Sequence, residues 1–92
     1  MAFGMYFKPD GFTKENYDEV IQRLEQAGAG SPPGRTHHFA FTGPDGHIEV
    51  FDVWESQEEF QRFGETLVPI MNELGSDPGQ PYVAEIHNTI VP

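Results

Sequence analysis

The sequence predicts an α+β fold with the order β-α-β-β-α-β, two helices lying on one face of a four-stranded antiparallel sheet. Three observations carry this expectation. Two segments with helical apolar spacing each follow a capping residue, Thr13 and Ser56. Short runs rich in aromatic and β-branched residues flank and separate those segments. The tetrapeptide Gly43-Pro44-Asp45-Gly46 joins the two central runs as a tight hairpin. A faint internal echo supports the order, since Thr13-x-Glu15-x-Tyr17 and Ser56-x-Glu58-x-Phe60 place cap, acid and aromatic alike at both helix starts.

Taken in order, Ala2 to Lys8 reads as a first strand with Phe3, Met5 and Phe7 on one face, ended by Lys8-Pro9-Asp10-Gly11. Thr13 caps a helix from Lys14 to Ala27, whose apolar positions are Tyr17, Val20, Ile21 and Leu24 and which Gly28 terminates. After a short Gly- and Pro-rich connection, Thr36 to Thr42 forms a second strand and His47 to Trp54 a third. The second helix runs from about Gln57 to Leu74 behind a Ser56/Glu59 capping box, with a stripe of Phe60, Phe63, Leu67, Met71 and Leu74. Pro69 lacks an N–H and should kink or break it. Tyr82 to Ile90 completes the sheet.

The turn fixes a register. A three-residue loop with a bulge pairs Gly43 with His47, and so sets Phe39 opposite Phe51, Phe41 opposite Glu49, His37 opposite Val53 and His38 opposite Asp52. The Cβ atoms of such cross-strand pairs lie about 5 Å apart. The face of Phe39, Phe41, Phe51 and Val53 suits helix packing. The other face holds Thr36, His38, Ala40, Ile48, Val50, Asp52 and Trp54. Two helices cover only one side of the sheet, so Ile48, Val50 and Trp54 would stand open to water. A second copy laid against them would bury the patch, and the expectation is a homodimer whose sheets enclose a cavity lined by these residues.

Composition narrows the function classes. Ninety-two residues make a single domain, 1–92, near the small end of what folds on its own core. Without cysteine there is no disulfide, thiolate metal site or thiol nucleophile. Fifteen acidic residues against five basic ones give a net charge of −10, which disfavours nucleic acid and anionic membrane surfaces as partners. Neither a signal peptide nor a membrane-spanning run is evident, so a cytoplasmic location is the default.

The element order, together with a Val-Trp-Glu-Ser strand-to-helix junction (Val53 to Ser56) followed by Glu59-Phe60, resembles the dimeric α+β barrel superfamily, a ferredoxin-like fold, and within it the antibiotic biosynthesis monooxygenase-like domains. The resemblance covers nearly the whole chain and implies a homodimeric barrel, often with the last strand reaching the partner. Members of the superfamily include cofactor-free oxygenases of polycyclic phenols, haem-degrading enzymes and lactone isomerases. Trp54 matches a Trp found at the end of strand three in both the haem-degrading and the phenol-oxidising branches. The haem-degrading branch also uses an Asn on strand one and a His on helix two. Here Ala2 to Lys8 has no Asn and Gln57 to Leu74 no His, which disfavours haem degradation. Tyr6 and Asn88 are loose substitutes for the Asn of the phenol-oxidising branch.

Each candidate has a structural reading beside its functional one. His38 and Asp52 are an acid–base pair, or a hydrogen bond that satisfies a buried polar group. Trp54 shapes a cavity, or fills a dimer core. His87 joins the pair only if its strand faces the same way, and a metal set of His38, Asp52 and His87 has no local spacing to support it. No metal and no cofactor is expected. The candidate site is thus His38 and Asp52, with Trp54, Tyr6, Val50, Ile48, Ala40, Thr36, His87 and Asn88 lining the cavity. The function expected is proton transfer, as in a cofactor-independent monooxygenase or isomerase, on a small apolar or aromatic molecule. A non-catalytic dimeric ligand-binding or assembly module is the alternative.

Overall fold

The computed structural model describes residues 2–92 and has the order β1 (Phe3–Phe7), α1 (Lys14–Gln26), β2 (Arg35–Thr42), β3 (Ile48–Trp54), α2 (Gln57–Glu73) and β4 (Tyr82–Glu85). The four strands form one sheet in the order β2-β3-β1-β4, every neighbouring pair antiparallel. This is the ferredoxin-like split βαβ arrangement expected from the sequence.

Local chemistry explains the boundaries. Thr13 Oγ1 accepts from the Asn16 backbone N–H at 3.0 Å while Asn16 Oδ1 accepts from the Thr13 N–H at 3.1 Å, a complete capping box. At α2, Ser56 Oγ accepts from the Glu59 N–H at 3.2 Å, but the Glu59 carboxylate takes the Ser56 hydroxyl at 3.0 Å rather than the backbone N–H expected of it. The helix runs through Pro69 without ending; the apolar stripe continues to buried Met71, and its packing offsets the lost hydrogen bond and the ring's clash with the preceding turn. In the β2–β3 turn the Gly43 N–H donates to the His47 carbonyl at 2.8 Å, and Gly46 takes the left-handed φ of +84° that the bulged loop requires. β4 ends at Glu85, earlier than the Tyr82–Ile90 span expected, so His87 and Asn88 lie beyond it in exposed irregular chain.

The hairpin register is the one the turn dictates, with Phe39 opposite Phe51, Phe41 opposite Glu49 and His38 opposite Asp52. The covered face, however, is the reverse of the expected one. Ile48, Val50 and Trp54 lie beneath the helices in one core with Met5, Phe7, Phe63 and Met71. Phe39, Phe41 and Tyr82 are exposed on the outer side. The physical reason is the pairing of β1 with β3, which sets Phe3, Met5 and Phe7 opposite Trp54, Asp52 and Val50 and so joins the two most apolar alternations on one surface. Within β3 alone the two alternations look alike, since each carries one carboxylate, Asp52 or Glu49.

Candidate functional site

With the covered face reversed, the cavity moves. It lies within one chain, between the sheet and the two helices, not between two sheets. It offers the centre of a water molecule about 60 Å³, or about 500 Å³ of non-protein space when the adjoining open solvent is included. Its floor is Phe7, Val50, His38 and Asp52 of the sheet, α1 contributes Tyr17, Val20 and Leu24, and α2 contributes Phe63, Leu67 and Met71. Arg35, at the start of β2, also reaches it.

Four polar side chains interrupt this apolar lining, and three are joined. Asp52 is 4% exposed and its Oδ1 accepts from His38 Nδ1 at 2.5 Å. The other ring nitrogen, Nε2, lies 2.6 Å from the Tyr17 hydroxyl. A carboxylate can only accept, so Nδ1 carries the proton; Nε2 of the neutral ring then accepts from the phenol. The geometry fixes both the tautomer and the direction of the chain, Tyr17 to His38 to Asp52. The Tyr17 and His38 rings are nearly parallel, with centroids 6.0 Å apart, and Phe12 meets Tyr17 edge-on. Burial pushes the Tyr17 hydroxyl above its ordinary pKa, Arg35 opposes this, and Asp52 and Asp18 add to it.

Of the residues expected to line a cavity, Val50 does so beside His38 and Asp52. The others do not. Trp54 is wholly buried in the core against Phe60 and Phe63, with ring centroids at 5.5 and 5.4 Å, and its indole N–H has no partner among the described residues. Ile48 is core as well. Thr36 and Ala40 are exposed, as are His87 and Asn88. Tyr6 points to the outer face, where its hydroxyl donates to Glu49 Oε1. Among the described residues no cluster of three His, Asp or Glu side chains is placed to hold a metal ion, and no helix is long and apolar enough to cross a membrane.

Sequence reasoning missed two polar cavity residues. Tyr17 reads as one more apolar position of α1, although its echo with Phe60 marks it as the one of the two aromatics that carries a hydroxyl. Arg35 reads as the end of a loop, because no sequence signal announced the irregularity between Arg35 and His37.

No protein-family model and no curated protein matches this chain. Among solved structures, SnoaB, a cofactor-independent oxygenase from Streptomyces nogalater, aligns at a TM-score of 0.61 with 19% identity over 97% of this chain and 94% of its own. NE2512, a protein of unknown function from Nitrosomonas europaea, aligns at 0.59 with 18% identity over 99% and 92%. This chain shares their fold. It is the β-α-β-β-α-β arrangement, two helices on a four-stranded antiparallel sheet, to which the element order pointed. At such identities the likeness is one of fold and leaves the chemistry to the site itself.

Proposed function

We propose that the protein is a cofactor-independent enzyme that moves a proton on a small aromatic substrate held between sheet and helices, and passes the resulting anion to dioxygen. One observation carries the reading: the Tyr17–His38–Asp52 chain opens into a cavity whose lining is apolar but for these three side chains and Arg35. The fold shared with a cofactor-independent oxygenase is consistent with it.

Tyr17 Oη is the end of the chain nearest a ligand. It takes a proton from an acidic C–H of the substrate while passing its own to His38 Nε2. The imidazolium so formed is stabilised by Asp52, as in other oriented histidine bases. A methylene held between two aryl groups loses that proton to become the diaryl carbanion. The carbanion adds dioxygen to give a peroxide anion, which recovers the proton from His38 through Tyr17. The neutral hydroperoxide then loses one water: its O–O bond breaks, the remaining C–H proton leaves, and that carbon becomes a carbonyl. In balance, one methylene and one dioxygen give one ketone and one water, the carbon being oxidised and the oxygen reduced. Apolar walls strengthen each charge interaction inside and keep water from the carbanion.

Residue-resolved ¹⁵N NMR of the His38 ring tests the proton chain without a known substrate, because the ring nitrogen shifts report which nitrogen carries the proton. Asp52→Asn keeps the size of the side chain yet replaces an acceptor-only carboxylate, and should change the Nδ1 and Nε2 shifts from those of the Nδ1–H form. Ring shifts that are the same with Asp52 and with Asn would sink the acid–base reading and favour a module that only binds. Oxygen uptake with anthrone, whose methylene is flanked by two rings, tests the chemistry. Tyr17→Phe should lower any rate found by about 10²–10⁴-fold, the usual worth of a positioned acid–base group.

In the same reading the protein is a homodimer, through the outer sheet face rather than through Trp54. Phe39, Phe51, Tyr6 and Tyr82 stand in register as a row of four aromatics across the sheet. The chain exposes 5982 Å², where a monomer of its mass exposes roughly 5,400 Å². A second copy on that row would cover an excess of this size. Light scattering that gives a monomer at micromolar concentration would refute the dimer and leave the cavity reading untouched.

A further inference from the structure

We infer that Arg35 is an anion subsite of the cavity and that the ligand is a small apolar acid whose carboxylate the Arg35 guanidinium takes. This rests on the reading of the cavity as the ligand site, but not on the proton chain within it.

The first support is how Arg35 comes to face the cavity. From Gly43 down to His37 the β2–β3 pairing keeps one register, and continued evenly it would set Thr36 opposite Trp54 and aim Arg35 at the outer face. Instead the register slips between Arg35 and His37, Thr36 bulges out exposed, and Arg35 takes the place opposite Trp54. A bulge of this kind re-aims a side chain, and bulges gather next to active sites for that reason. The preceding residue is held to match. Gly34 has a φ of +89°, which L side chains rarely adopt, and its carbonyl accepts from the Glu55 N–H at 2.7 Å.

The second is that the guanidinium is positioned but carries no ion pair among the described residues. It lies 5.5 Å from the centre of the Phe63 ring, and one N–H donates to the Gly30 carbonyl at 3.2 Å. A guanidinium has five N–H donors in a planar fork suited to a carboxylate. Arg23 pairs with Glu19 and Glu73, and Arg62 with Glu58; Arg35 makes no ion pair among the described residues. In a chain with fifteen acidic residues and five basic ones, an arginine left without a carboxylate beside an apolar cavity is poised for one brought by a ligand.

The third is charge. Among the described residues Arg35 is the only lysine or arginine lining the cavity, and Asp52, the only carboxylate there, is engaged by His38. An acid seated on Arg35 would lie with its apolar body among Phe63, Leu67 and Val20, the Tyr17 hydroxyl within the same cavity. Fork recognition of a carboxylate fixes orientation as well as position, the property a proton-transfer site needs of its substrate.

The test is calorimetric titration of the full chain with 2-naphthoate and with 2-naphthamide, which have the same shape and differ in charge. Naphthoate should bind at least tenfold more tightly at low salt, with shifts at the Arg35 Nε–H and Tyr17 ring resonances. R35Q should bring the two ligands to near parity, and R35K should retain part of the preference. Equal affinities in the wild type, a preference that survives in R35Q, or no binding of either ligand at millimolar concentration would each overturn the subsite. Should R35Q lose its fold, R35K alone decides, since a merely structural arginine gives no charge preference for lysine to retain. The coupling of His38 to Asp52 is read separately, so failure of the proton chain and failure of the subsite are told apart.

Discussion

The two faces of the sheet solve one problem in two ways. Each buries a single β3 carboxylate, Asp52 at 4% exposure beneath the helices and Glu49 at 5% on the outer side. Each carboxylate is satisfied by one ring from a neighbouring strand, His38 of β2 for Asp52 and Tyr6 of β1 for Glu49. The cost of a buried charge is met alike in both. The outcomes differ because imidazole has a second ring nitrogen that bonds onward, here to Tyr17, whereas the Tyr6 phenol ends its chain at Glu49. The chemistry of a face is therefore set by the partner of the carboxylate rather than by the carboxylate itself.

The largest expected effect separates the faces by packing. Trp54 is fully buried against Phe60 and Phe63, whereas Phe39, on the outer face, is 55% exposed. Trp54→Ala should cost about 3–5 kcal/mol in chemical denaturation. Phe39→Ala should leave the stability of a single chain within roughly 0.5 kcal/mol and act on association instead. Trp54→Phe adds a control. It removes an indole N–H that is buried without a partner, so part of the packing loss should be offset by the desolvation no longer incurred. A Phe39→Ala loss as large as that of Trp54→Ala would mean that the outer face is part of the folding core.

How much of this was legible in the sequence depends on the range of the interaction. Caps, turn and hairpin register follow from contacts a few residues apart, and Gly43 to Gly46 alone placed His38 opposite Asp52. Which face the helices cover depends on β1, some forty residues from β3 in sequence, and no local pattern decides it when both alternations of β3 carry one acid. The same gap explains the missed residues. Tyr17 and His38 meet only because α1 packs over that face, and Arg35 turns inward only through a bulge with no sequence mark. The span of β4 was overdrawn because Ile86 to Ile90 alternates like a strand, although only the Ile86 N–H, bonded to the Ala2 carbonyl at 2.9 Å, continues the ladder.

A smaller effect compares the carboxylates directly. Asp52→Ala removes the acceptor of a buried imidazole N–H and should cost about 1–3 kcal/mol. Glu49→Ala should cost less, because the half-buried Tyr6 hydroxyl it leaves can turn to water. Denaturant midpoints of the two variants at neutral pH measure the difference. The reverse order would show that the outer pair, not the cavity pair, is the tighter anchor of β3.

The smallest effect is a pH dependence on the alkaline side, and it sharpens the contrast because both faces carry a tyrosine whose pKa is raised for a different reason. On the outer face the hydrogen bond to Glu49 is the largest cause for Tyr6, followed by desolvation. In the cavity burial is the largest cause for Tyr17, and Arg35 works against it. A raised tyrosine pKa means that the folded state holds the proton more tightly than the unfolded one. The contribution to stability is then fully present below the unfolded value of 10.0 and is lost as the pH rises through the folded values above it. Stability should hold steady as pH 10 is approached from neutrality and decline beyond it, with Tyr17→Phe and Tyr6→Phe each removing one share of the decline. Residue-resolved NMR of ring-labelled tyrosine separates the causes. Glu49→Gln should return Tyr6 toward its ordinary value without moving Tyr17, and Arg35→Gln should raise Tyr17 further without moving Tyr6. If Glu49→Gln leaves Tyr6 where it was, the outer carboxylate is not what holds that proton, and the parallel between the two faces fails at its weaker end.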